Sequence, residues 1–340
     1  MKIDVSVLVP QLGDMKEVAI RAERVGFDAM WSSETKHNPF LPLTIASEHT
    51  RQIYLGTAVA IAFPRSPMVT AQIAWDLQAF SKGRFILGLG TQVKAHIERR
   101  FGVRWESPTA KLREYILALR AIWDAWQSRI RLNFRGQFYK HTLMTDFFDP
   151  GPIAYPHIPI YIAGVNTRLT KLAGELCEGF HVHPFHSRKY LEKIVLPALQ
   201  EGLNESGRSR QDIELASTVF VITGRTQAET SAVREMVRQQ IAFYASTPSY
   251  RVVLDVHGWR DVGERLSALA ARKRWREMPA LISDEMLAMY AVEAPWEELP
   301  EALVKRYDGV LDRIALYYPF RPGEEDLWTF LVQKVRELSS

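Results

Sequence analysis

The sequence predicts an α/β fold, a (βα)8 TIM barrel. Short apolar runs rich in β-branched residues recur eight times, and stretches with apolar residues at three- and four-residue spacing separate them. A length of 340 residues is one that such a barrel fills as a single unit.

The elements follow in order. IDVSVLV, positions 3–9, reads as strand one, and DMKEVAIRAERVG as the helix behind it. FDAMWSSE is strand two, with PLTIASEHT after it. IYLGTAVAIAF is strand three, followed by a helix from Pro67 to Phe80; RFILGLG is strand four, and its long helix has its main part from about Thr109 to Trp126. IPIYIAG, FHVHPF, IELASTVFVIT and DRIALYYPF supply strands five to eight, and a last helix runs from about Glu324 to Leu338.

Two segments break the alternation. About 128–157 alternates polar and apolar residues and then turns Gly- and Pro-rich, which predicts a hairpin and loop inserted before strand five. About 246–308, which contains ARKRWRE, reads as a second insertion, between helix seven and strand eight. Either could cover the barrel mouth. With no internal repeat and no low-complexity tract, residues 1–340 are expected to form one domain.

Composition narrows the partners. Forty-three Lys and Arg against 39 Asp and Glu leave a formal charge of +4, too mild to predict nucleic acid. One cysteine, Cys177, can form neither an internal disulfide nor a cysteine-based zinc site, and fits a reducing compartment. No run reaches the length of a membrane span, and the N-terminal apolar run is too short for a signal peptide. The expectation is a cytoplasmic protein with a small-molecule substrate and no membrane partner.

Chemistry in such a barrel sits at the C-terminal ends of strands. Strand two ends in Trp31 to His37, strand three in Ala58 to Arg65, strand four in Gly90, Thr91 and Gln92, strand five in Ala163 to Asn166, and strand six in His181, Val182 and His183. Small residues such as Ala58, Ala60, Gly88 and Gly90 suit a flat apolar slot, or ordinary strand packing. Gly164 and Asn166 precede a helix whose free N–H groups could bind a phosphate, or could simply be capped.

FDAMWSSETKH, IYLGTAVAIAFPRSP, GRFILGLGTQVKAHIERRFG and YIAGVN…AGELCEGFHVHPF together resemble the luciferase-like monooxygenase superfamily. The resemblance is strongest to its branch using coenzyme F-420, an 8-hydroxy-5-deazaflavin, related to methylenetetrahydromethanopterin reductase. It implies a flavin-type ring at the strand ends, hydride transfer to or from that ring, and a homodimer. It implies a non-proline cis peptide at Ala58-Val59, and a cofactor site made of Thr35, Ala58, Val59, Gly90, Thr91, Gln92, Ala163, Gly164, Val165 and Asn166. Lys94, Arg99 and Arg100 are candidates for the anionic lactyl-oligoglutamate tail, or for a solvated helix face.

Hydride transfer needs a proton placed on the neighbouring atom, and Glu34, His37, His96 and His183 are the candidates; Glu34, His37 and His183 are the expected catalytic set. In the sugar-phosphate dehydrogenases of the family a His follows the strand-two acid and a Glu sits in the strand-four loop. Thr35 and Val93 stand there instead, against a sugar phosphate substrate. His181 and His183, two apart on a strand, share a face, but strands five and seven offer no further ligands, so no metal is expected. Trp31, Phe40, Phe63, Trp105, Phe147 and Phe148 suggest an apolar substrate, although aromatics also build cores. Three readings remain: an F-420-dependent oxidoreductase, an FMN-dependent monooxygenase, and a non-catalytic flavin-binding barrel.

Overall fold

The computed structural model describes residues 1–7 and 11–339. Eight parallel strands close into a barrel: β1 Lys2–Val7, β2 Ala29–Ser32, β3 Tyr54–Thr57, β4 Phe85–Gly90, β5 Ile160–Gly164, β6 Gly179–Val182, β7 Glu214–Ile222 and β8 Arg313–Leu316. Each pairs with the next, and β8 returns to β1. The predicted run at 3–9 is a strand through Val7; Leu8 and Val9 lie outside the described residues.

The predicted third strand is interrupted. It pairs over Tyr54–Thr57, passes through Ala58 and Val59, and resumes as a two-residue strand, Ala60–Ile61, beside β4. The register then aligns one row across the barrel: Ile61 opposite Gly90, Gly90 opposite Ala163, Ala163 opposite His181. Residues far apart in sequence therefore meet at one level.

The helices include α1 Met15–Val25, α2 Phe40–His49, α3 Pro67–Phe80, α4 Lys94–Arg99, α5 Pro108–Ser128, α6 Thr167–Leu176, α7 Leu196–Ser206, α8 Gln227–Ala245, α9 Arg260–Ala271, α10 Leu299–Tyr307 and α11 Glu325–Leu338. Local chemistry sets their ends. Ser66 caps α3 by accepting from Val69 N, with Pro67 in the first turn, where a missing N–H does no harm. Gly26 ends α1 at φ +91°, a left-handed position that costs glycine nothing. One face of α1 buries Met15, Ala19, Ala22 and Val25 against the barrel.

Trp31, Ile86, Tyr161 and Ala216 fill the barrel interior. Below them the Arg313 guanidinium grips Asp4 through Nε at 2.7 Å and Nη2 at 3.0 Å, and Trp31 Nε1 donates to the same carboxylate at 2.7 Å. Arg313 also reaches Glu214 at 2.7 Å, so this deeply buried charge is paired on two sides.

In the 128–157 stretch, Phe134–Arg135 pairs antiparallel with Lys140–His141, and Glu114 accepts from the N–H groups of Gln137, Phe138 and Tyr139 in their turn. Between β7 and β8 run α8, α9 and shorter turns, then a short strand, Ala291–Glu293, that pairs with the end of β7, then α10. Among the described residues no helix is long and apolar enough to cross a membrane.

Candidate active site

The strand exits converge on one cavity of about 1480 Å³ at the C-terminal end of the barrel. All ten residues of the expected cofactor set line it, as do Glu34 and His183.

One wall is the break in strand three. The Ala58-Val59 peptide is cis, at the position the resemblance implies. The β2 exit holds this segment in place: Ser33 Oγ donates to Ala58 O at 2.8 Å, and Glu34 accepts from Ile61 N at 2.7 Å. Across the wall, a Cβ on Gly90 would lie 2.5 Å from Val59 Cγ2, so only glycine lets Val59 sit there without displacement. Ala60 and Gly88 do not line the cavity. A Cβ on Gly88 would fall 1.7 Å from Thr57 O, so that glycine serves strand packing.

The β4 and β5 exits supply polar groups. Gln92, at φ +59°, turns its side-chain oxygen onto Val93 N at 3.0 Å, which leaves its amide N–H groups for a ligand. Asn166 caps α6 by accepting from Leu169 N at 2.9 Å, and Tyr190 Oη donates to Val165 O at 2.9 Å, fixing the turn. The cap reading holds for Asn166, and the cap satisfies one N–H of the first turn. Lys94 lines the cavity, whereas Arg99 and Arg100 do not; Arg100 instead donates to Thr35 O and ties the β4 exit to the β2 exit.

The acid-base candidates separate. Arg65 Nη1 and Nη2 lie 2.7 and 2.9 Å from the two Glu34 oxygens, and Glu34 is only 7 % exposed, so both oxygens already accept protein hydrogen bonds. His37 and His96 are exposed and do not line the cavity. The loop after Glu34 carries His37 outward, which sequence spacing alone could not foretell.

His183 and His181 both line the cavity, so the shared face predicted for them is the inner one. His183 Nδ1 accepts from Phe185 N at 3.1 Å, so the neutral ring carries its proton on Nε2. Burial pushes its pKa down to about 4, and burial pushes His181 down to about 3. His181 Nε2 is buried without a hydrogen-bond partner, its ring edge-on to Trp31 at 4.7 Å. Among the described residues no group of three or more His, Cys, Asp or Glu is placed to hold a metal ion.

Of the six aromatics taken as substrate candidates, Trp105 lines the cavity. Trp31, Phe40 and Phe63 are buried in packing, and Phe147 and Phe148 are exposed away from it. The aromatic lining comes instead from Tyr244, Tyr250, Tyr317, Tyr318 and Phe320. Sequence reasoning missed these, along with Arg65. Arg65 had a signal, being the cation in the strand-three exit opposite a strand-two acid. Tyr244 and Tyr250 had none, because their approach depends on how α8 folds over the mouth.

The model of the luciferase-like monooxygenase family matches residues 2–313, and the chain belongs to that family of oxidoreductases. It is 46 % identical to an uncharacterized protein of Mycobacterium tuberculosis over 92 % of each chain. It is 25 % identical to the 5,10-methylenetetrahydromethanopterin reductase of Archaeoglobus fulgidus over 89 % of each. The solved coenzyme F-420-dependent tetrahydromethanopterin reductase of Methanopyrus kandleri shares the fold, with a TM-score of 0.80 at 19 % identity, covering 100 % of this chain and 99 % of that one.

Proposed function

We propose that the protein is a coenzyme F-420-dependent oxidoreductase that moves a hydride between the deazaflavin and a small organic substrate. The observation that carries this reading is the Val59 wall: a bulge held by Ser33 and Glu34, faced by Gly90, and continuous with the polar exits of β4 and β5 in one cavity. The residues present fit the group. Ala58 and Val59 offer a flat apolar face, Thr91 and Gln92 offer polar partners for ring or chain, and the Gly164–Asn166 turn offers N–H groups for a phosphodiester. Lys94 is the cation for the tail.

When bound, the deazaflavin supplies a carbon that gives or accepts a hydride. This chain's own residues position the reactants and donate hydrogen bonds to them. His183 holds a proton on Nε2 at the cavity surface, and Glu34, committed to Arg65 and Ile61, acts as a positioning residue. With Thr35 and Val93 at the two positions named above, glucose 6-phosphate should not reduce the cofactor. The reading extends to a homodimer, as the resemblance implies, and to the cytoplasm, as the composition predicts.

The test is a fluorescence titration of the purified protein with F-420 and with FMN. F-420 is expected to bind far more tightly, because FMN has a phosphate but no glutamate tail for Lys94. Tighter FMN binding would shift the reading to an FMN-dependent monooxygenase; binding of either without hydride transfer would leave a flavin-binding barrel.

A further inference from the structure

The cavity mouth has two unlike halves. The exits of β2 to β5 supply the groups assigned above to the cofactor. The other half is built by His183 after β6, by Tyr244 and Tyr250 from the segment after β7, and by Tyr317 after β8. Pockets that hold one drug-sized ligand measure roughly 300–1,000 Å³. A cavity of about 1480 Å³ therefore has room for a second molecule beside the first.

We propose that this second half is a separate compartment for an uncharged organic molecule with a flat apolar body and one hydrogen-bond-accepting oxygen, a ketone or aldehyde, with His183 as its recognition group. The proposal rests on the reading that the first half holds the cofactor ring.

Three observations support it. First, the His183 ring is held on two sides, by Tyr244 at 4.6 Å and 84° and by Tyr250 at 4.4 Å and 43°. With Nδ1 engaged by Phe185 N, the remaining Nε2–H has no acceptor among the described residues, so a ligand oxygen is its natural partner. Second, the neighbouring polar groups are neutral. Tyr244 Oη and Tyr317 Oη lie 3.4 Å apart, and burial raises the Tyr244 and Tyr250 hydroxyls above their ordinary values, so they stay protonated.

Third, the charges exclude an anion. Among the described residues Lys94 is the one Lys or Arg that lines the cavity, and it stands past the β4 exit on the cofactor side, with β5 between that strand and β6, which leads to His183. Asp14 and Glu17 line the cavity after β1, the strand next to β8, so the charges on the side of the β8 exit, which carries Tyr317, are negative. A carboxylate or phosphate brought there would lose its water and meet no counter-charge, whereas a carbonyl oxygen needs only the imidazole N–H.

The experiment uses the purified full chain, with acetophenone and cyclohexanone set against benzoate and cyclohexanecarboxylate, their nearest anionic shapes. Binding is read by calorimetry and saturation-transfer NMR, with and without F-420. The ketones are expected to bind at least tenfold more tightly than the acids. Tyr250→Ala and His183→Phe should each weaken ketone binding at least fivefold while leaving F-420 affinity within twofold, and Tyr250→Phe, which keeps the ring, should bind as the parent does. Acids binding as well as ketones, no ketone binding, or ketone binding that survives both variants would overturn the proposal. If neither F-420 nor FMN binds while the ketone pattern holds, the compartment stands and the cofactor assignment falls.

Discussion

Arg65 closes a two-point ion pair on Glu34, with Nη1 2.7 Å from Oε2 and Nη2 2.9 Å from Oε1. The same guanidinium donates to Ile61 O at 2.9 Å while Glu34 accepts from Ile61 N, so the pair fastens both peptide groups of that residue. This makes Glu34 and Arg65 one unit supporting the cavity wall.

That unit predicts a non-additive stability pattern. Arg65→Met leaves a carboxylate that is only 7 % exposed without its partner, a loss of about 3–5 kcal/mol. The Glu34→Met/Arg65→Met double variant removes both charges and should be more stable than Arg65→Met alone. Urea denaturation of Arg65→Met, Glu34→Met and the double variant checks this; a double variant less stable than both single ones would refute the pairing.

Glu34→Gln separates positioning from proton transfer. The amide oxygen can still accept from Ile61 N, so turnover should fall less than tenfold with an unchanged pH profile. A loss of about 10²-fold or more, the scale of a general acid or base, together with a displaced pH limb, would restore Glu34 as the proton carrier.

His183 should act without titrating at neutral pH. Its pKa is depressed to about 4 by burial, so kcat/KM should show no His183 limb between pH 6 and 9. His183→Phe should lower kcat/KM by about 10²-fold, the scale for removing one aimed hydrogen-bond donor, at every pH in that range. A loss confined to one end of the range would show that His183 ionises there.

Gly90→Ala tests the ring-facing wall. The new Cβ would lie 2.5 Å from Val59 Cγ2, and such overpacking costs about 1–3 kcal/mol. Cofactor affinity should drop at least tenfold by fluorescence titration. The Gly90→Ala/Val59→Ala double variant, which removes the clashing methyl, should recover part of it. Unchanged affinity in the single variant would place the ring elsewhere.

Acid should destabilise the fold before carboxylates protonate. Burial lowers His181 and His186 to about 3 and His183 to about 4, from 6.5. Because these folded values lie below the unfolded one, the unfolded chain takes up protons first. The stabilisation is complete above pH 6.5 and is lost as pH falls. Between pH 6 and 5 each histidine contributes a slope of up to about 1.4 kcal/mol per pH unit. Urea midpoints across this range should fall, and His186→Gln should flatten the slope; a flat parent profile would contradict the burial of these rings.

The barrel was legible because each βα unit carries its own signal: RFILGLG reads as a buried strand and Pro67–Phe80 as a helix without reference to any partner. The cavity residues at the strand ends were legible for the same reason, since a strand's last residues in a barrel have one destination. Loop residues were not. His37 stands three residues past Glu34 yet points to solvent, and Phe147 and Phe148 lie off the cavity.

The sequence by itself determined the order of strands and helices, the strand-end residues and the two histidines on one face, because periodicity and spacing are local properties. Tertiary structure alone decided that Arg65 takes Glu34 as its partner and that Tyr244 and Tyr250 hold the His183 ring. Those outcomes depend on barrel register and on how α8 folds over the mouth. Both arise from packing between segments 31 to about 67 residues apart, where hydrogen-bond and ring geometry select among partners that are equivalent in sequence.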